Sequence, residues 1–353
     1  MPMAIELTRR RFGLWLGAAL GGASAWAWAE PGPRLLASWR LADGRYQVGW
    51  LLADRAQGAW RVHTAVDLPT RAHGVWIGPD GSVYAAARRP GDWLLRWAPA
   101  TSPRWAWLDP GRSLNGHVLP HPEGRVVLTT ETDLDSGMGL VAVRDARTLE
   151  VMQEWPSHGR DPHQLLWDRQ HPDRLYVANG GIETRPETGR RKWGLDRMDA
   201  SLVCLDWRAG QLLGQWRLRD ERLSVRHLAW SGSRLGVALQ AEHDEATQRE
   251  HAPVLALLEP EGLRAVPFDR PLAGYGGDIA GTAEGFAVAC PRAGGVALYH
   301  PDGRARGWVP LSEACALAVD PQERLWMGGH PEAGLATERL RVPALQLDNH
   351  WRV

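Results

Sequence analysis

Along most of the chain apolar residues come in short runs, alternating or continuous, each closed by Gly, Pro, Asp or Asn. That pattern predicts strands and turns, and helical periodicity is scarce. The runs recur as one unit: an apolar strand, a turn, a second strand ending in small or polar residues, then a hairpin pair. At 73–107 the unit reads HGVWI, VYAAA, WLLRWAP and RWAWL. From 117 it reads HVLPH, RVVLTT, GLVAVRD and EVMQEW, and from 163 HQLLWD, RLYVAN, SLVCLDW and QLLGQWRL. Three more units begin at 227 with HLAWS, at 278 with DIAGT and at 316 with ALAVD, and 46–68 supplies a partly degenerate seventh.

Seven units of about 46 residues match a four-stranded blade, which cannot bury its faces alone. The expected fold is all-β, a seven-bladed β-propeller of YVTN/WD40-like architecture forming one domain over 30–353. A sandwich would not need seven copies of one spacing, and β-helix coils are shorter. Closure is expected to pair RLLASWRL (34–41) with strands of the last unit. A 22-residue insertion, NGGIETRPETGRRKWGLDRMDA at 179–200, interrupts the fourth unit, and a loop of that length is usually functional or disordered.

The first 29 residues do not fit the repeat. Thr8-Arg9-Arg10-Arg11-Phe12 precedes a short Gly/Ala-rich apolar run ending Ala27-Trp28-Ala29, the pattern of a twin-arginine export signal. The mature chain would then begin near Glu30 and work in the periplasm, with no membrane span. Basic and acidic residues balance at 41 each and are interspersed, which gives no sign of a nucleic-acid groove. Cys204, Cys290 and Cys315 are too few for a disulfide scaffold; one bridge, Cys290–Cys315, is possible in an oxidising compartment. Twenty tryptophans suit many short strands packed face to face.

Aligning the units on their first strands produces a column: His73, His117, His163 and His227, with Asp278 in the next unit and Cys315 close to the position in the last. First strands are innermost in a propeller, so the column should ring one mouth of the central channel. Second strands run antiparallel and should end at the same mouth. Their ends supply Arg88, Glu131, Asn179, Glu183 and Gln240. Imidazoles backed by carboxylates can hold Fe, Cu or Zn. The four histidines are the candidate metal ligands; Arg88, Glu131, Asn179, Glu183, Gln240 and Asp278 are candidate ligand-binding residues. A structural network of the WD type, with Asn115-Gly116-His117 as one such device, and metal-free ligand binding or acid–base catalysis remain open. His63, His121, His158, His171, His251, His300 and His350 lie outside the column and read as surface or turn residues. No G-x-S-x-G, H-E-x-x-H, phosphate loop or C-x-x-C-H occurs.

HGVWI (73–77), TTETD (129–133), SHGRDPHQLL (157–166), VANGGIETRPETGRRKWGLDRM (177–198) and VRHLA (225–229) together resemble a family of twin-arginine-exported bacterial proteins catalogued as a domain of unknown function. The resemblance covers nearly all of the mature chain. It implies a β-propeller encoded beside imelysin-type and di-haem peroxidase-like periplasmic proteins, and hence a role in iron acquisition with such proteins as partners. It names no activity. The family more often has Gly or Ser at the place of Asp278, and QAEHDE at 240–245 is atypical. The expected function is binding of a metal or metal complex; a metal-dependent hydrolase, lactonase or oxidoreductase and a metal-free docking scaffold are the alternatives.

Overall fold

The computed structural model describes residues 33–182, 192 and 194–353; the export signal and Glu183 lie outside them. Strands dominate. Five four-stranded antiparallel sheets cover residues 72–107, 112–156, 162–216, 223–266 and 278–310. An eight-stranded sheet joins the strands of 316–341 to those of 34–68 and 345–347. Its two halves meet through a single parallel residue pair, Arg341 opposite Ala59. The expected closure is present in altered form: Arg34–Leu41 pairs with Leu345–Leu347, so the chain's end completes a sheet begun by three N-terminal strands. The β fold is propeller-like. Among the described residues no helix is long and apolar enough to cross a membrane.

The core lies between neighbouring sheets, because alternate side chains of each strand face opposite sides. Leu119, Leu128, Val141 and Val143 of one sheet meet Leu165, Leu175, Val177 and Val203 of the next. Each such fully buried side chain contributes roughly 1.5–3 kcal/mol. Tryptophan does a second job here. Trp167 Nε1 donates to Pro120 O at 3.0 Å, Trp230 Nε1 to Trp167 O at 2.9 Å and Trp60 Nε1 to Ala333 O at 2.9 Å. Trp167 and Trp230 thus tie the backbone of a neighbouring sheet, and Trp60 ties the two halves of the eight-stranded sheet.

No disulfide forms: Cys204, Cys290 and Cys315 are free and buried. Cys290 packs with Phe286 and Tyr299, whereas Cys315 packs with Trp39 and Trp351 in a different cluster, so the expected bridge is corrected. Burial pushes the Cys290 thiol up to about 12.

The first strands of successive sheets lie against one another: Ala72–Ile77 on Arg112–Pro120, that strand on Pro162–Trp167, and so on through Leu223–Ser231, Asp278–Thr282 and Ala316–Val319. Glycine permits the closest approach. Gly116 has φ +98°, and a Cβ there would sit 2.7 Å from His73 Cδ2.

Candidate metal centre

A regular strand aims its side chains at the faces of its sheet, not at the edge where the inner strands meet. The histidines escape that rule because their strands break register. Two residues, His73 and Gly74, lie between Ala72 and Val75 where the partner strand has one. Asn115, Gly116 and His117 lie opposite one residue, and His163 and Gln164 opposite one. Arg226 is the extra residue immediately before His227. Such bulges bend a strand and re-aim a side chain. His117 and His227 are consequently inside their strands, not at the starts as the sequence pattern suggested. All four rings are buried, which moves the site from the mouth into the interior.

The four rings offer one ligand nitrogen each within 4.8 Å of one another. His163 Nε2 lies 3.4 Å from His73 Nε2 and 3.0 Å from His227 Nε2. Two nitrogens bound to one tetrahedral ion at about 2.0–2.1 Å would be roughly 3.4 Å apart, so the spacing fits a shared metal. The WD-type network is not what holds these rings. His117 Nε2 and the Nδ1 atoms of His73, His163 and His227 are buried and have no hydrogen-bond partner among the described residues. Asn115 bonds Thr132 instead. Burial, then repulsion from neighbouring imidazoles and from Arg226 or Arg88, holds all four well below the usual histidine range. Neutral rings with available lone pairs are what a metal requires.

A fifth histidine joins them. His350, expected to be a surface or turn residue, is buried with its ring 4.7, 4.9 and 4.6 Å from those of His73, His117 and His227. It too sits at a register break. Between Leu347, opposite Trp39, and Arg352, opposite Leu36, the C-terminal strand carries four residues against two. His350 Nδ1 donates to Asp278 Oδ1 at 3.1 Å, and its Nε2 is left without a partner. Asp278 therefore orients a ring instead of facing the cavity; its Oδ2 accepts from Leu317 N at 2.9 Å. His121 was also read as a surface or turn residue. It does lie in a turn, yet it is buried against Trp167 and Trp207.

One side of the cluster is open. A cavity of about 370 Å³ is lined by His73, His163, His227, Arg88, Arg89, Arg226, Arg292, Lys192, Gln240 and Tyr275. His117 and His350 are not part of its lining. Of the residues singled out at second-strand ends, Arg88 and Gln240 reach it. Glu131 does not: it is buried inside its sheet, accepting from Arg144 NH2 at 2.7 Å and Thr129 Oγ1 at 2.6 Å. Asn179 is spent on the Ser157 carbonyl at 2.8 Å. The pattern of the sequence did not single out Asp161 and Arg226, although both stand in the quoted SHGRDPHQLL and VRHLA stretches. Arg226 NH1 donates to Asp161 Oδ2 at 2.6 Å, and Arg89 pairs with the other oxygen. Burial alone would raise the Asp161 carboxyl, but the two guanidinia bring it below its usual value. Lys192, from the long insertion, pairs with Glu242 at the cavity edge.

Residues 66–353 match the family described as "Protein of unknown function (DUF1513)". The chain belongs to that family. No curated protein matches it. Among solved structures, the Kuenenia stuttgartiensis hydrazine synthase is similar with TM-score 0.60 and 13% identity, covering 93% of this chain and 100% of that one. A chain of a nidogen/laminin complex is similar with TM-score 0.52 and 12% identity, covering 91% and 99%. At such identities the likeness concerns the propeller-like fold alone. Within this DUF1513 member, the buried histidine cluster is a site that could hold a transition metal.

Proposed function

We propose that this protein is a periplasmic, seven-bladed propeller that binds a transition metal or metal complex on its axial histidines. Reading the eight-stranded sheet as two blades joined by one residue pair supports the count of seven. The observation that carries the metal reading is the approach of His163 Nε2 to the Nε2 atoms of His73 and His227, at 3.4 and 3.0 Å, in a buried cluster of neutral rings. His73, His163 and His227 would hold the ion on the cavity side, and His117 and His350 would back or complete the set. An all-imidazole donor set suits iron, copper or zinc better than magnesium or calcium. Export by the twin-arginine route and a role in iron acquisition beside imelysin-like and di-haem peroxidase-like proteins are supported by the resemblance of the motifs.

A second reading has its own support. Three imidazoles facing a cavity leave an open coordination position, the arrangement of catalytic metal sites, so a metal-dependent hydrolase or oxidoreductase is the alternative. Metal content by mass spectrometry, on exported protein purified without chelator, tests both. Near-stoichiometric metal is expected, and a folded variant with His73, His117, His163 and His227 all changed to Ala should carry none. Absence of metal from the parent protein after reconstitution would overturn the proposal.

A further inference from the structure

Asp161 joins three sheets, and they are the three that supply the cavity-lining histidines His73, His163 and His227. It lies two residues before His163. Arg226, which donates to its Oδ2 at 2.6 Å, directly precedes His227. Arg89, which pairs with its Oδ1, lies two residues past Ala87, and Ala87 is paired with Ala72, the neighbour of His73. One member of the ion triad thus accompanies each of the three ligands. A second tie lies on the other side of the rings. Gln164, directly after His163, accepts from the backbone N–H of Leu228, directly after His227. Thr130 Oγ1 also donates to the His163 carbonyl at 2.8 Å. The two bulges that bring Nε2 atoms to 3.0 Å are therefore fastened to each other both before and after the histidines.

The backbone yields to this arrangement. Asp161 sits at φ +53°, in the left-handed region that few residues with a side chain enter. A Cβ at Gly180 would lie 2.5 Å from both Arg226 NH1 and Asp161 Oδ2. Net stability is a poor reason to bury such charges, since apolar residues of similar volume often do as well. Their place beside the ligands supplies another. We infer that Asp161, aided by Gln164, is a positioning residue of the metal centre: it holds the bulges of His163 and His227, and the strand end beside His73, so that the ligand nitrogens stand at metal-binding spacing before an ion arrives. The inference rests on the metal reading above. Neither residue touches the ion, because guanidinia take both Asp161 oxygens and a backbone amide takes Gln164 Oε1.

The test uses the mature protein loaded with Co²⁺, whose visible spectrum reports its coordination, with affinity read by chelator competition. Asp161→Asn keeps the size and removes the charge that holds both arginines. It should bind Co²⁺ about 10–100-fold more weakly, the usual cost of losing an outer partner, and shift the visible spectrum. Gln164→Met should do the same to a smaller extent. Glu131→Gln is the control, because it breaks a buried ion pair whose other hydrogen bonds go to Thr129 and Leu149. It should cost stability and leave cobalt affinity and spectrum at the parent's values. Parent-like affinity and spectrum in folded Asp161→Asn, or a control disturbed as much, would overturn the positioning role and leave the metal site standing. Should Asp161→Asn not fold, Arg226→Lys, which keeps a charge but loses the guanidinium fork, is held to the same two outcomes. A parent protein that takes up no cobalt would sink the metal reading itself, and this inference with it.

Discussion

The strands that carry His73, His117, His163 and His227, and the stretch that leads to His350, bring a histidine into the buried cluster, whereas two comparable strands later in the chain do not. The strands bearing His73, His117, His163 and His227, and the C-terminal strand leading to His350, all carry extra residues against their partners. The strands Asp278–Thr282 and Ala316–Val319 pair without a register shift. Asp278 sends its carboxylate sideways to Leu317 N and His350, and Cys315, just ahead of the other regular strand, packs among Trp39 and Trp351. Residue type at a repeat position is thus only half of the site. The bulge supplies the direction, and it exacts backbone pairing at each strand that uses it.

The sharpest way to test that contrast is acid. The four cluster histidines have folded-state values well below their unfolded value of about 6.5, so below pH 6.5 the unfolded chain binds protons that the native protein refuses. Stability is therefore full above that pH and falls as the pH drops through it, by up to about 1.4 kcal/mol per unit for each ring. Guanidinium unfolding of metal-free protein at pH 7.5 and 5.5 should show this loss, and the four-alanine variant should show it much reduced. Equal pH dependence in both proteins would mean that the rings are not buried as described.

Next in size is His163→Ala, which removes the nitrogen lying between those of His73 and His227. Metal affinity should drop by more than roughly 100-fold, beyond the ~10–100-fold cost of losing an outer partner. Competition with a chromophoric chelator measures it. Asp278→Asn probes a regular strand: by turning His350 it should cost about 10–100-fold in the same assay. A neutral result would remove His350 from the metal set. The smallest effect is expected from Gly116→Ala, where positive φ and the His73 ring oppose a side chain. We expect about 1–3 kcal/mol of lost stability in denaturant titration, with weaker metal binding as the two strands separate.

Much of this was legible in the linear pattern. Period-2 runs and punctuating turns gave the strands, and the recurring unit gave the sheets. The histidine column picked out four residues that do converge, and the antiparallel rule placed Arg88 and Gln240 at the same cavity. These features are local or repeat at fixed spacing, so they survive in one dimension. Glu131 shows where such reasoning fails. Its position in the repeat matched, but Arg144 across the strand pair captured it, and no linear spacing shows which face of a sheet a residue takes after a bulge.

What the sequence determined by itself was therefore the inventory: an all-β repeat, a recurring imidazole and an arginine-rich set of strand ends. Tertiary structure decided the aim and the company of each group. His350 enters the cluster only because the last strand closes on the first, bringing residues more than three hundred positions apart into one sheet. The open face depends on which rings the neighbouring strands leave uncovered. Register and closure are settled by contacts between distant segments, and those contacts exist only once the chain has folded around its axis.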